Sequence, residues 1–312
     1  MIAQAVSHHV HKRRAGRRAR REAYVFYLFI SPWLIGFIVF SLGPILAAAY
    51  FSFTDLQVLN ISAGLPNFIG LQNYQQLLAD PTFWYAIRAT AIFTIGGLII
   101  NTVIGILLAQ LLNQRMPGLH FFRTVYYMPT VIAGVAAGYI WLFMLRTDDG
   151  LVNGILGILH ITGPDWLGSS TTAPLALLMY NLWYVGQSMV IYLAALQGVP
   201  ISLYEAAGLD GAGAVRRFWN VSLPMISPAI LFNVVIGLIG YLQAFIPAFI
   251  ISQGGPSYST WLYGFAIYKE AFTYQHGAYA SAWSMVLFLF SLLLTIVLFR
   301  GASRFVHYEG RR

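Results

Sequence analysis

Long stretches of this chain carry no Asp, Glu, Lys or Arg, among them 23–54, 89–114, 124–145, 166–204, 218–268 and 271–299. About 20 apolar residues carry a helix across the hydrocarbon of a bilayer, so each stretch has the length for a span. The pattern predicts helices at 24–51, 89–112, 124–145, 174–196, 228–251 and 279–299. The 218–268 interval is too long for one span. Pro224 and Pro228 at one end and Gly254, Gly255 and Pro256 at the other bracket a single helix within it. Barrel strands would alternate in polarity over short segments, and no stretch here does. The expected fold class is all-α: a polytopic membrane protein with six transmembrane helices.

The first apolar stretch follows a basic segment, as in a signal peptide, but it is much longer than an h-region of about 7–15 residues. It reads as a retained helix, bent at Pro32 or Pro44. Residues 1–22 form a basic tail ahead of a transmembrane domain at 23–312. The first outer loop, about 52–88, is rich in turn residues, with a short helix expected around 73–78.

Composition agrees on the solvent: 58% of residues are hydrophobic and 9% charged, against roughly 25% charged in a soluble domain. The distribution of charge sets the topology. With six spans, the side holding the amino tail carries 15 of the 18 Lys and Arg residues and a net +11, while the other side carries −3. The positive-inside rule then puts both termini in the cytoplasm. A basic tail also suits a nucleic-acid arm, but a topology anchor is the more economical reading, and no nucleic-acid partner is expected.

Several chemistries are excluded. There is no cysteine, hence no disulfide, thiolate metal site or thiol nucleophile. Neither a Walker A sequence nor a His-Glu-x-x-His pattern occurs. His8, His9 and His11 lie in the tail and are read as incidental, so no metal site is expected. The predicted helix centres hold no Asp, Glu or His, which counts against a proton-coupled carrier. They do hold neutral amides: Asn101, Asn181, Gln187, Asn233 and Gln243. Helix–helix hydrogen bonding accounts for such residues. A pathway for a neutral, hydroxyl-rich solute is the alternative, and Asn181, Gln187, Asn233 and Gln243 are the candidates on the fourth and fifth helices.

The one long loop on the basic side, 198–227, reads GVPISLYEAAGLDGAGAVRRFWNVSLPMIS. Pro200 can open a short helix, on which Leu203, Ala206, Ala207 and Leu209 make a small apolar face. Gly208, Gly211 and Gly213 limit its length. An interfacial linker and a docking element for a partner both fit these residues.

The segment resembles the EAA loop of the integral-membrane permease subunits of binding-protein-dependent ABC importers. The matching residues are Glu205-Ala206-Ala207, Asp210-Gly211-Ala212, Phe218, Leu223-Pro224 and Pro228. Further segments resemble the carbohydrate-uptake branch, in the first-permease type of the maltose, lactose and glycerol-phosphate systems. They are residues 68–74 (FIGLQNY), 127–129 (YMP), 251–256 (ISQGGP) with Thr260, and 304–310 (RFVHYEG). The maltose type's extra amino-terminal helices and large outer domain have no counterpart, which fits a compact six-helix member.

The resemblance implies a non-catalytic subunit of a sugar importer in a bacterial or archaeal cell membrane. Its partners would be a homologous second permease, two copies of a cytoplasmic ATPase that use ATP and Mg, and an extracytoplasmic sugar-binding protein. It assigns ATPase coupling to Glu205, Ala206, Ala207, Gly208, Asp210, Gly211 and Ala212, with a supporting contact from Arg216 and Arg217. An autonomous secondary carrier or facilitator for a neutral polar solute is the alternative. A membrane enzyme or scaffold is disfavoured, because no catalytic constellation gathers.

Overall fold

The computed structural model describes residues 2–57, 66–114 and 117–302, with side chains from residue 20 onward. The RFVHYEG segment at 304–310 lies outside the described residues, as do the side chains of His8, His9 and His11. Among the described residues the regular secondary structure is helical, apart from one isolated bridge between Thr54 and Phe68. Three helices are long and apolar enough to cross a membrane, and up to six spans result if each bent pair counts as one.

The first helix, α1 (Ile2–Phe37), runs through Pro32 without a break. A π turn at Ile38–Leu42 joins it to α2 (Gly43–Phe51). There the Gly43 N–H reaches back five residues to the Ile38 carbonyl. The wider turn sits directly ahead of Pro44, which has no N–H to give to a preceding carbonyl. In its most apolar window this span buries nothing against its own chain.

The sequence signature at 68–74 has a fastening role. Buried Asn73, on α3 (Gln72–Ala79), donates to the carbonyls of Ser52 (2.9 Å) and Thr54 (2.8 Å). The Tyr74 hydroxyl lies 2.7 Å from Ser52 Oγ, and Gly70 turns the chain at φ +64. At the base of the same loop, Asn67 gives its side-chain amide (3.0 Å) and backbone N–H (2.7 Å) to Asp55. These bonds hold the Asp55 carboxyl below the usual carboxylate range. Asp80 then caps α4 (Pro81–Leu112), accepting from Thr82 N at 2.8 Å. This helix therefore begins well before residue 89.

The stretch at 124–145 is divided. The helix α5 (Leu119–Tyr127) passes through a 3-10 turn, Met128–Val131, into α6 (Gly134–Met144), and the two halves bend by 102°. Pro129, in the YMP signature, opens that turn. The next stretch also has two pieces, α8 (Ala173–Leu182) and α9 (Val185–Gln197), broken at Trp183 and Tyr184. Between α6 and α8 lies a short helix, α7 (Leu151–Ile158).

The fifth stretch is α13 (Ser227–Leu242), followed by an irregular segment and a π turn at Ala248–Ser252. The ISQGGP signature closes on itself here. Thr260 Oγ1 donates to the Gly255 carbonyl (2.7 Å) and lies 2.8 Å from Ser252 Oγ, within hydrogen-bond reach. Gly254 has φ +79, and a Cβ there would collide with the Trp261 ring. The chain finishes through α14 (Tyr263–Tyr268) and α15 (Gly277–Ala302).

Three buried clusters hold these helices together. Trp141, Leu177, Tyr180, Ile251 and Phe265 centre one; Leu77, Phe83, Leu242, Tyr263 and Trp283 a second; Leu112, Met189, Tyr192, Leu196 and Ile226 the third. The third cluster lies toward the 198–227 loop.

Candidate functional site

Two features bear on function: the 198–227 loop, and a polar cavity between α4, α8, α9 and α13. The loop starts at Pro200, which supplies the N-cap of α10 (Ile201–Leu209). Gly211 adopts φ +73 just beyond the helix. Its N–H bonds the Gly208 carbonyl at 3.0 Å, and the Ala212 N–H bonds the Ala207 carbonyl at 2.9 Å. That pair of bonds is a Schellman closure, which satisfies the last carbonyls of the helix and favours glycine at the left-handed position. The glycine of Asp210-Gly211-Ala212 thus has a backbone reason to be there.

A short helix, α11 (Ala214–Arg217), and a π turn at Phe218–Ser222 lead to α12 (Leu223–Met225). The chain then bends by 64° into α13. The bend is clasped by Ser227 Oγ donating to the Pro224 carbonyl at 2.6 Å. The Tyr204 hydroxyl, 2.9 Å from Ser222 Oγ, ties α10 to this return segment, and Tyr204 and Phe218 pack on the third cluster.

This leaves most of α10 facing outward. Glu205, Ala206, Gly208, Asp210 and Gly211 are exposed, and Ala207 and Ala212 are half-buried. Leu209 is 91% exposed and Leu203 39%, so these two do not form a face buried on their own chain. Arg216 is exposed, and Arg217 is half-buried with its Nε enclosed. A Cβ added at Gly208, Gly211 or Gly213 would meet nothing within 4 Å. The element is closed at its back by hydrogen bonds and exposed in front.

The cavity has a volume of about 250 Å³. Asn181, Gln187 and Asn233, three of the four pathway candidates, line it. With them are Asn101, Thr102, Tyr184, Ser188, Tyr192 and Tyr241. Gln243 does not line it; it lies one residue past α13 and is exposed.

Glycines let the polar side chains converge. A Cβ at Gly97 would stand 2.5 Å from Asn181 Nδ2 and 3.2 Å from the Tyr241 ring. One at Gly105 would stand 3.1 Å from the Tyr192 ring. Among the described residues Asn181 Nδ2, Tyr192 OH and Asn233 Nδ2 are buried without a well-aligned hydrogen-bond partner, although Tyr192 stands beside Thr102 and Asn233, and Tyr241 beside Asn181 and Asn101. Groups paired this loosely keep hydrogen-bonding capacity toward the cavity. Tyr192, Tyr241 and Ser188 were not singled out in the sequence. Their signal was the run of polar and small residues at helical spacing: 188 and 192 on one helix, following Tyr184 at its start, and 233, 237 and 241 on the other.

The fold and its two features can be set beside known proteins. The family model described as the binding-protein-dependent transport system inner membrane component matches residues 101–307. A probable ABC transporter permease protein, YesP, of Bacillus subtilis (strain 168) is 34% identical, covering 95% of this chain and 96% of the relative. The AmyD permease of Thermoanaerobacterium thermosulfurigenes, of a probable starch degradation products transport system, is 32% identical over 87% of this chain and 91% of its own. The UgpA permease of a sn-glycerol-3-phosphate transport system in Salmonella typhimurium is 30% identical, covering 95% and 99%. Among solved structures, one chain of a bacterial alginate ABC transporter complexed with an alginate pentasaccharide-bound periplasmic protein superposes with a TM-score of 0.76. It is 21% identical and covers 90% of this chain and 94% of its own.

Proposed function

Because the chain belongs to the family of binding-protein-dependent transport system inner membrane components, we propose that it is a permease subunit of an ATP-driven sugar importer. One relative supports the solute class: its name refers to starch degradation products. The observation that carries the mechanism is α10, closed behind by Gly211 and the Tyr204–Ser222 contact while Glu205 and Leu209 stand free.

In this reading two ATPase subunits, which use ATP and Mg, receive one such helix from each of two homologous permeases in a bacterial or archaeal cell (inner) membrane. Residues 205–212 enter the ATPase surface, and Arg216 and Arg217 support the contact from the side. ATP-driven closure of the ATPase pair pushes on α10. The 64° bend into α13 passes that displacement to the helix bearing Asn233 and Tyr241. Asn101, Asn181, Gln187 and Asn233 offer hydroxyl-binding amides without fixed charge, which suits a neutral sugar received from an extracytoplasmic binding protein. The chain performs no covalent chemistry. Its work is differential contact with two conformations.

Charge reversal at Glu205 tests the docking assignment. In the reconstituted transporter, Glu205→Arg is expected to abolish uptake, either by losing the ATPase subunits on purification or by leaving ATP hydrolysis uncoupled. Full uptake by the variant overturns the assignment.

A further inference from the structure

The outer loop between α6 and α8 contains a helix whose surface the transport reading does not use. On α7, Leu151, Ile155 and Ile158 lie within one turn-spaced row, and Leu159 continues it. They are 57%, 52%, 78% and 63% exposed. The sequence of α7, LVNGILGI, has no charged residue.

The row is fixed outward. Its opposite face is fastened by Asn153, which donates to the carbonyls of Thr147 (3.0 Å) and Pro164 (3.2 Å) and accepts from Trp166 Nε1 at 2.7 Å. Val152 packs on the Trp141 cluster. The carboxyl end is closed by His160 at φ 57, with Ile161 N–H on the Leu156 carbonyl at 2.9 Å. That closure brings a further apolar residue, Ile161, 52% exposed, to the same end. The helix cannot roll to hide its row without breaking the Asn153 contacts.

We propose that α7 lies on the outer surface of the bilayer, with Leu151, Ile155, Ile158 and Leu159 dipping among the acyl chains as an interfacial anchor. Three observations favour lipid. The helix follows α6 after a turn of six residues, and α6 carries exposed Ile140 and Phe143, so the apolar surface of a membrane-embedded helix continues onto it. The turn between them holds the Arg146–Asp149 ion pair at 3.1 Å, as expected where the chain passes through the headgroup layer. The row itself is wholly apolar. Interfaces that form and separate reversibly are no more apolar than ordinary protein surface, whereas interfacial helices present such a face to lipid.

The chain has no cysteine, so single spin labels are clean. Ile155→Cys, Ile158→Cys and Asp148→Cys, each labelled in the assembled transporter in phospholipid nanodiscs without binding protein, are compared by oxygen and nickel-chelate accessibility. Doxyl-labelled phospholipids in the same discs set the depth scale. Labels at 155 and 158 favour oxygen and read at acyl-chain depth, while that at 148 favours nickel. Nickel-favouring values at 155 and 158 overturn the proposal, and shielding that then appears on adding binding protein assigns the row to that partner. Labels shielded from both reagents without binding protein assign it to a neighbouring subunit and equally overturn it. Two positions on the row keep the test valid if one variant misfolds.

Discussion

Substitution at Gly211 isolates the backbone contribution to the α10 element. The residue sits at φ +73, and a Cβ there would touch nothing within 4 Å. Within this chain Gly211→Ala therefore introduces no clash beyond its own backbone, and its cost there is that of holding an L-residue in the left-handed region, about 1–2 kcal/mol. That energy lowers the ratio of closed to frayed helix ends by roughly 5–30-fold. Gly211→Asn costs less, since asparagine tolerates this conformation, and Gly211→Val costs most, being β-branched. If the Schellman closure presents α10 to the ATPase, uptake per ATP hydrolysed in proteoliposomes falls in the order Gly, Asn, Ala, Val. Purified yield of the membrane domain stays level, because no packed side chain is disturbed. Equal loss for asparagine and valine would refute the conformational argument and point to a direct contact at this position. Unchanged coupling in all three would refute a role for the closure altogether.

Other positions give independent tests. Gly97→Val forces a side chain onto Asn181 and the Tyr241 ring; overpacking of this kind costs about 1–3 kcal/mol, and uptake is expected to fall while ATPase subunits still co-purify. Asn181→Leu keeps the volume but removes the amide, so uptake drops with little change in thermal stability. Asn73→Ala strips two carbonyls of their donor and destabilises the fold by about 1–3 kcal/mol, read as a lowered Tm in detergent. The Asp55 carboxyl, held low by Asn67, gives a pH signature. A depressed acid stabilises its loop above the ordinary carboxylate pKa, and that contribution is lost as pH falls through the lowered value. Hydrogen exchange at the Asn67 and Ile69 amides, corrected for intrinsic rate, should accelerate on acidification below about pH 4, and Asp55→Asn should remove this step.

Much of the architecture is legible in the spacing of charged residues, because lipid tolerates them so poorly. The breaks are not. Nothing in the hydropathy of 124–145 marks a 102° bend, since Ile132 and Ala133 are as apolar as a helix interior; Pro129 marks the turn but not its angle, and α5 packs against α9 beside it. There Gly186 comes so close to the Tyr126 carbonyl that a Cβ would collide with it. The break at Trp183 and Tyr184 is equally silent, as neither residue disfavours a helix. The 198–227 loop is legible for the opposite reason: glycines, prolines and acids stand out in a chain so poor in charge. The polar cavity is intermediate. Four of its amides, Asn101, Asn181, Gln187 and Asn233, are visible as polarity inside apolar stretches, but Gln243 has the same character and stands outside it. What separates them is the helix end at Leu242, one residue before Gln243.

The central claim is that solute movement through this chain is driven by a separate ATPase acting on α10. Its most direct test reconstitutes the chain with its partner permease into liposomes, with and without the ATPase subunits, ATP and binding protein, and follows entry of labelled sugar. The account predicts accumulation only in the complete system and no sustained flux when the ATPase subunits are omitted. Concentrative or sustained flux through the permeases alone would contradict it and establish an autonomous carrier.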